Sequence, residues 1–368
     1  MIQRAYLLKL RLNNKQQAYF RECAGAARFV YNWALADRIE AYKRDKTSVN
    51  KFEQKKRFNA LKKDTFPWLS EYPYKLVAQA FYDLDDAYRN FFRRVKKGAD
   101  EKGFPKFRNK YQVARFCFGD SGFRVEEARI RLPRVGWVTL EEKNYLPVNA
   151  KINRVTATEH ADGWYISVQV EMPDIEPVAL EGVIGIDLGI KSLATLSDGR
   201  TFDNPRTLNA YEKKVATLNR ELSRRKLGSK NRKKTKAKLA KLHARIKNVR
   251  RHTLHNISAH AVYEAKPKKI VLENLNVQGM MANHKLAKSL SDASMGELGR
   301  QIEYKAEWTG IEVVYADRWF PSSKTCSQCG SVKPAMSLRE RTFVCECCGA
   351  VLDRDHNAAL NLANYTAK

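Results

Sequence analysis

Three acidic residues, Asp187, Glu273 and Asp355, stand at strand ends or a helix start, and at Glu273 a carboxylate without a cation or hydrogen-bond partners would be costly to bury. Asp187 ends the apolar run Val183-Ile-Gly-Ile and precedes Leu188-Gly189, where a residue without a Cβ lets a phosphate or metal approach the backbone. Glu273 ends the run Ile270-Val-Leu. Asp355 opens the segment Asp-His-Asn-Ala-Ala-Leu-Asn-Leu, so it can project from a helix start. Carboxylates that converge on two Mg²⁺ ions about 4 Å apart can hydrolyse a phosphodiester, because the ions activate water and stabilise the leaving oxygen. Taken singly, each acid reads more readily as a solvated turn residue or a helix cap. The constellation is what points to chemistry. Asp353 competes with Asp355, since either can cap the last helix and spacing does not choose between them.

Five of the seven cysteines crowd between Cys326 and Cys348. Cys326-Ser-Gln-Cys329-Gly330 and Cys345-Glu-Cys-Cys348-Gly349 are two knuckles separated by 15 residues, the arrangement of a zinc ribbon in which four thiolates close a tetrahedral site. A redox pair would not come in two glycine-tailed copies. Cys347 is the spare, because using it breaks the two-residue spacing. A closed four-thiolate site has no open position for water, so its zinc organises structure and performs no hydrolysis. Cys23 and Cys117 read as ordinary buried thiols. His252 and His255, three apart on a basic helix, read as solvated or phosphate-contacting residues and not as a rival metal site.

The chain carries 68 Lys and Arg against 40 Asp and Glu, a formal charge of +28 over 368 residues, and nucleic acid is the first partner such an excess suggests. Residues 224–251 hold 14 Lys or Arg and no acid, half of the whole excess. A solvated face mixes its signs, so this run favours polyphosphate contact, with Arg224, Arg225, Lys230, Arg232, Lys233 and Lys234 as the candidates. Arg4, Lys9 and Arg11 interrupt the opening segment, and no stretch reaches the roughly 18 apolar residues of a membrane span. A cytoplasmic protein is expected, associated with the nucleoid when bound to DNA.

Elements must place these residues. Residues 2–12 alternate as a strand, and Asn13 or Asn14 can cap a helix that buries Phe20, Ala24, Ala27, Val30 and Leu35. Helical spacing then runs for about a hundred residues, punctuated by Pro67 and Pro73, with Leu76, Phe81, Leu84, Tyr88 and Phe91 as helix-packing core. From Val113 to Met172 short alternating runs and the turn Asp162-Gly163 indicate a small β-barrel or sheet, with the helical block inserted after its first strand. Val183–Asp187 and residues 191–196 read as strands. A helical hairpin broken at Gly228-Ser229 follows, then a strand at residues 269–273, a helix at 289–308, a strand at 311–315 and a last helix from about Asn357. That order suits a mixed sheet flanked by helices.

Taken together, these residues closely resemble the TnpB family, transposon-encoded RNA-guided nucleases related to the type V CRISPR effectors. The resemblance runs over nearly the whole chain and rests on Gly185-Ile-Asp-Leu-Gly-Ile-Lys-Ser-Leu-Ala-Thr-Leu-Ser-Asp-Gly, Ile270-Val-Leu-Glu-Asn-Leu-Asn-Val, Asp353-Arg-Asp-His-Asn-Ala-Ala-Leu-Asn and Asp317-Arg-Trp-Phe-Pro-Ser-Ser-Lys-Thr-Cys-Ser-Gln-Cys-Gly. It implies a multidomain α+β fold: an RNase H-like (RuvC-type) mixed sheet with an inserted four-cysteine zinc module, and a wedge β-barrel with an inserted helical recognition lobe. The implied division is 1–12 as the first wedge strand, 13–110 as the recognition lobe, 111–178 as the rest of the wedge, 179–320 as the nuclease domain, 321–352 as the target-nucleic-acid-binding zinc insertion, and 353–368 as the last nuclease motif and helix.

The resemblance also implies Asp187, Glu273 and Asp355 as catalytic acids holding Mg²⁺, and Zn²⁺ on Cys326, Cys329, Cys345 and Cys348. Lys75 and Gln79, four apart on one helix face, resemble positions that read a short motif beside the target, although the flanking Tyr74-Lys-Leu-Val-Ala departs from the typical pattern. Arg318, Lys324 and Arg354 become candidate phosphate or guide contacts. The implied partners are a guide RNA from the transposon end and double-stranded target DNA, with pairing supplying specificity and the protein, expected as a monomer, reading the flanking motif. Two alternatives stand beside guided cleavage: a guided protein that occupies DNA without cutting, and an RNase H-like transposase that joins strands directly.

Overall fold

The structure is a computed structural model and is described here for residues 2–119, 122–173, 181–337 and 340–366. Parts of the expected wedge (120–121 and 174–178), zinc module (338–339) and terminal segment (367–368) lie outside the described residues. The chain divides at Pro173 into two compact units. Among the described residues no helix is long and apolar enough to cross a membrane.

The first unit opens with β1 (Ile2–Arg11) and α1 (Asn14–Asp45). Asn13 is the cap: its side chain accepts from the Gln16 N–H at 2.8 Å, and the Gln16 side chain accepts from the Asn13 N–H at 3.1 Å. α2 (Lys51–Thr65), a short 3₁₀ turn at Pro67–Glu71 and α3 (Tyr74–Lys96) follow, so both prolines sit at the expected breaks. Then come β2 (Arg115–Gly119), β3 (Arg124–Glu126), β4 (Arg129–Leu132), β5 (Gly136–Leu140), β6 (Lys151–His160) and β7 (Gly163–Met172). They form one antiparallel sheet in the order β2-β6-β7-β1-β5-β4-β3, and among the described residues no pairing joins β2 to β3. β1 pairs with β5 and β7, both beyond the helices, so the helical block is an insertion after the first strand.

Alternation along β7 buries Trp164, Ile166, Val168 and Val170. The α1 residue Phe20 meets Trp164 at 5.0 Å between ring centres, and Phe116 and Phe118 of β2 at 5.3 and 5.6 Å. Burying each such side chain contributes about 1.5–3 kcal/mol, which docks α1 on the sheet. Leu76, Phe81 and Leu84 are buried as expected, whereas Tyr88 and Phe91 are half-buried and meet Phe104 of the irregular segment after α3, not another helix.

The second unit contains β8 (Val183–Leu188), β9 (Ser192–Leu196), β10 (Thr201–Asp203), α4 (Thr207–Arg224) and α5 (Lys230–Ala259), capped by Ser229. A π-turn at His260–Glu264 leads to β11 (Lys269–Leu272), α6 (Val277–Met281), α7 (His284–Ala293), α8 (Met295–Thr309) and β12 (Glu312–Tyr315). The chain ends with the hairpin β13 (Thr342–Val344) and β14 (Val351–Asp353), then α9 (Arg354–Ala363). The single helix expected over 289–308 is two helices, broken at Ser294, whose φ of 53° is left-handed. Leu290, Ala293, Met295 and Leu298 enter one core from both sides of the break, which is why apolar spacing hid it. The short β10, α6 and the β13–β14 hairpin carry too few residues to show a period.

β8, β11 and β12 run parallel, β9 and β10 add antiparallel, and the sheet order is β10-β9-β8-β11-β12. Alternate residues face opposite sides of a strand. Ile186, Ile270 and Leu272 therefore pack with Leu254 and Ile257 of α5 and Leu298 and Ile302 of α8, whereas Val271 packs with Leu362 of α9. Covered on both faces, β11 reads as an unbroken apolar run.

Candidate active site

The parity that sends Val271 toward α9 sends Glu273, one step beyond β11, to the same side. Gly185 and Asp187 share a parity on β8 in the same way. The β8–β11 register pairs Ile186 with Leu272, so the next step sets Asp187 beside Glu273 at the carboxyl ends of two neighbouring parallel strands. Their side chains lie within hydrogen-bonding reach of each other, and both feel the charge of Asp355 from the first turn of α9. Burial pushes the Asp187 carboxyl well above the usual carboxylate range; the charges of Glu273 and Asp355 add to it and Arg354 opposes it. Burial also raises Glu273, against a hydrogen bond that its Oε1 accepts from Ser322 Oγ at 2.8 Å.

Asp353 and Asp355 separate cleanly. Asp353 is the cap of α9, its Oδ1 accepting from the N–H groups of Asp355 and His356 at 2.9 and 3.0 Å. Asp355 is left to face the other acids. Its Oδ1 accepts from Arg354 Nε and Nη2 at 3.1 and 2.9 Å, and Arg341 Nη1 stands 3.6 Å from its Oδ2. Two arginines thus bring positive charge to Asp355. Three carboxylates, two of them driven toward protonation, offer the oxygen donors that Mg²⁺ takes, but their oxygens do not all lie close enough to hold one ion as they stand.

Glycine has a different role from the one expected. A Cβ on Gly189 would meet the Ser192 carbonyl oxygen at 2.8 Å, so that glycine serves the β8–β9 turn rather than an approaching phosphate. Gly185 is the close approach: a Cβ there would overlap backbone atoms of Ala359 and Ala363 and the Leu362 side chain. Its absence lets α9 lie flat on β8 and bring Asp355 to the strand ends.

Cys326, Cys329, Cys345 and Cys348 bring their sulfurs within 4.8 Å of one another, and Cys347 is left exposed outside the group. Among the described residues theirs are the ligand atoms close enough for one ion. The Cys326–Cys348 and Cys329–Cys345 sulfurs are 3.7 and 3.5 Å apart, near the roughly 3.8 Å edge of a tetrahedron with 2.3 Å Zn–S bonds. The two knuckles repeat one geometry: Gly330 and Gly349, at φ 75° and 74°, donate to the Cys326 and Cys345 carbonyls at 2.9 and 3.0 Å. The residues present fit zinc.

Of the candidate nucleic-acid contacts, Arg224, Lys230, Lys233 and Lys234 are exposed on the α4–α5 hairpin. Arg225 and Arg232 are engaged within it: Arg225 pairs with Glu221, and Arg232 donates to the Leu222 carbonyl and, at 3.1 Å, to the Arg225 carbonyl, closing the end of α4. Arg318 is exposed and Lys324 half-buried. Arg354 spends its guanidinium on Asp355 and the Glu340 carbonyl. His252 is exposed, while burial and the neighbouring Lys305 lower His255 to about 4, so it stays neutral. In the first unit, Lys75 lies along Gly119, and Gln79 donates to Asp83 at 3.0 Å from a groove of about 450 Å³ that Arg28, Arg108, Arg115 and Arg154 also line.

Comparison with known proteins places this geometry. A protein of Streptomyces pristinaespiralis, provisionally named an RNA-guided DNA endonuclease, is 34% identical over 98% of this chain and 89% of its own length. The chain belongs to the TnpB family. InsQ of Escherichia coli K12, with the same provisional name, is 31% identical over 97% of this TnpB-family chain and 91% of its own. A probable-transposase family model matches residues 167–284, a Cas12f1-like TNB domain matches 296–362, and a helix-turn-helix domain matches 1–47, where the structure has one strand and one unbroken helix. The fold is that of Cas12f1 in its complex with guide RNA and target DNA, at a TM-score of 0.55 and 16% identity over 96% of this chain and 83% of that one.

Sequence reasoning did not single out Gly185, Ser322, Asn357 or Asn361 as parts of the site. Gly185 was legible, because it shares the parity of Asp187 two residues on. Asn357 and Asn361, fully and almost fully buried, were legible as two polar residues four apart in the otherwise apolar run Asn357–Ala363. Ser322 carried no such signal.

Proposed function

We propose that this protein is a transposon-associated, RNA-guided DNA endonuclease that cuts target DNA beside a short flanking motif by metal-dependent hydrolysis. The observation that carries this reading is the meeting of Asp187, Glu273 and Asp355 at the carboxyl ends of β8 and β11 and the start of α9. The five-stranded order, three strands antiparallel and two added in parallel, supports an RNase H-like, RuvC-type nuclease domain. When bound, Mg²⁺ supplies a nucleophilic water and charge stabilisation at the leaving oxygen. The three acids hold the ions, and the low-dielectric strand ends strengthen that hold.

Zinc on the four cysteines keeps the target-nucleic-acid-binding module folded. The exposed Arg224, Lys230, Lys233 and Lys234 bind RNA or DNA phosphates. The first unit is a wedge barrel with an inserted recognition lobe, in which Lys75 and Gln79 read the flanking motif. The names of the relatives, and a structural neighbour that holds guide RNA and target DNA, support those partners. A strand-joining transposase, favoured by the description of the 167–284 match, would use the same acids. The test is to purify the protein with its transposon end, sequence the RNA that comes with it, and offer the complex matching and non-matching labelled DNA. Guided cutting of the matching DNA alone is expected. Absence of RNA, or joined products without guidance, would overturn the reading.

A further inference from the structure

Glu273 is held from outside the sheet. Its Oε1 accepts from Ser322 Oγ at 2.8 Å, and Ser322 is itself only 5% exposed. Ser322 belongs to the segment that leads into the first zinc knuckle, and α9 fixes that segment. Asn361 Nδ2 donates to the Ser322 and Thr325 carbonyls at 2.8 and 2.6 Å. One turn earlier, Asn357 grips the backbone on both sides of Cys326, donating to the Thr325 carbonyl at 2.7 Å and accepting from the Ser327 N–H at 2.9 Å. Asn357 and Asn361 lie four apart on one helix face. The same helix brings Asp355 to the site in its first turn.

We propose that Ser322 is a positioning residue for Glu273, held in register by Asn361 and by the Asn357 clamp on the Cys326 knuckle, so that the zinc module sets the geometry of the metal-binding acids. A serine hydroxyl has one proton to give, and here it goes to one carboxylate oxygen, which leaves the other to turn toward Asp187 and a cation. Two ordinary surface loops would not need two buried asparagines, whose amides are costly to bury unless each hydrogen bond is made. They are spent on the backbone of a single six-residue stretch, Ser322 to Ser327. Donors behind metal-ligating carboxylates typically tune affinity by tenfold or more.

The proposal rests on Glu273 as a metal ligand, and Mn²⁺ serves as the probe. Mn²⁺ binding to the zinc-loaded, guide-loaded protein is titrated by water-proton relaxation for the parent, Ser322→Ala, Ser322→Thr, Glu273→Gln and the double variant Ser322→Ala/Glu273→Gln. Ser322→Ala is expected to weaken Mn²⁺ binding about tenfold while zinc content and target-DNA affinity stay at the parent value. Ser322→Thr, which keeps the hydroxyl, is expected to bind Mn²⁺ as the parent does. In the Glu273→Gln background the serine change should cost nothing further. That comparison decides the matter even if the single alanine variant loses stability, because a purely structural effect would persist in the double variant. Parent-like Mn²⁺ affinity in Ser322→Ala, or equal losses with and without Glu273, overturns the proposal. A parent that binds no Mn²⁺ at all would instead refute the reading of the three acids.

Discussion

Gly185 and Ala359 touch so closely that a methyl group on the first would overlap the carbonyl oxygen of the second. A strand residue and a helix residue separated by most of the second unit thus set the distance at which Asp187 and Asp355 face each other. Gly185→Ala should cost about 1–3 kcal/mol of stability through overpacking, and cleavage should fall with it as α9 is pushed from β8. Thermal unfolding and cleavage rate, measured side by side, check this; an unchanged pair would show that α9 is not seated by that contact.

The two acids at the head of α9 divide the work between them, and variants should separate their effects. Asp353→Ala loses the cap and about 0.5–2 kcal/mol of stability, with cleavage retained at a temperature where the protein stays folded. Asp355→Ala keeps the cap and loses cleavage. The opposite pattern would transfer the site to Asp353.

Cys329→Ser removes one of the four thiols proposed to hold zinc. Zinc content should drop below one ion per chain, and amide hydrogen exchange should quicken from residues 321 to 352, because the energy of zinc binding is the folding energy of such a module. Full zinc content in that variant would mean that Cys347 or another group completes the site.

The raised Asp187 carboxyl makes stability depend on pH, and the sign follows from which state holds the proton. With the folded-state value above the unfolded one, the folded protein binds the extra proton; the stabilisation is complete below the ordinary carboxylate range and is lost as pH rises through the raised value. Without added divalent cation, Asp187→Asn should therefore melt above the parent by more at pH 8 than at pH 5. Added Mg²⁺ should raise the melting temperature of the parent and leave the variant unmoved. Equal pH profiles for the two proteins would contradict the burial of an uncompensated charge at this position.

Much of this arrangement was legible before any coordinates. The apolar runs ending in Asp187 and Glu273 marked strand ends, and parity along those runs was enough to send both acids to one side of the sheet. The glycine-tailed knuckles carried their own spacing, and the structure groups the same four cysteines and leaves Cys347 outside. Other features were hidden for physical reasons. Ser294 breaks a helix without a glycine or proline to announce it, because buried neighbours on both sides outweigh local preference. Arg225 and Arg232 looked like any other members of a basic run, but their guanidinium groups also make contacts within the α4–α5 hairpin, which no local pattern encodes. Gly189 was read as room for a ligand when it is room for a turn. The Ser322 contact spans 49 residues of sequence, and nothing local encodes it.

The central claim is that Asp187, Glu273 and Asp355 hold the metal that cuts guided DNA. The most direct test is Asp187→Ala, assembled with its guide RNA and given a labelled matching duplex in Mg²⁺, with binding and cleavage read from the same sample. The account predicts target binding close to that of the parent and no cut product, because the change removes a metal ligand and almost no binding surface. Cleavage at the parent rate by that variant would contradict it.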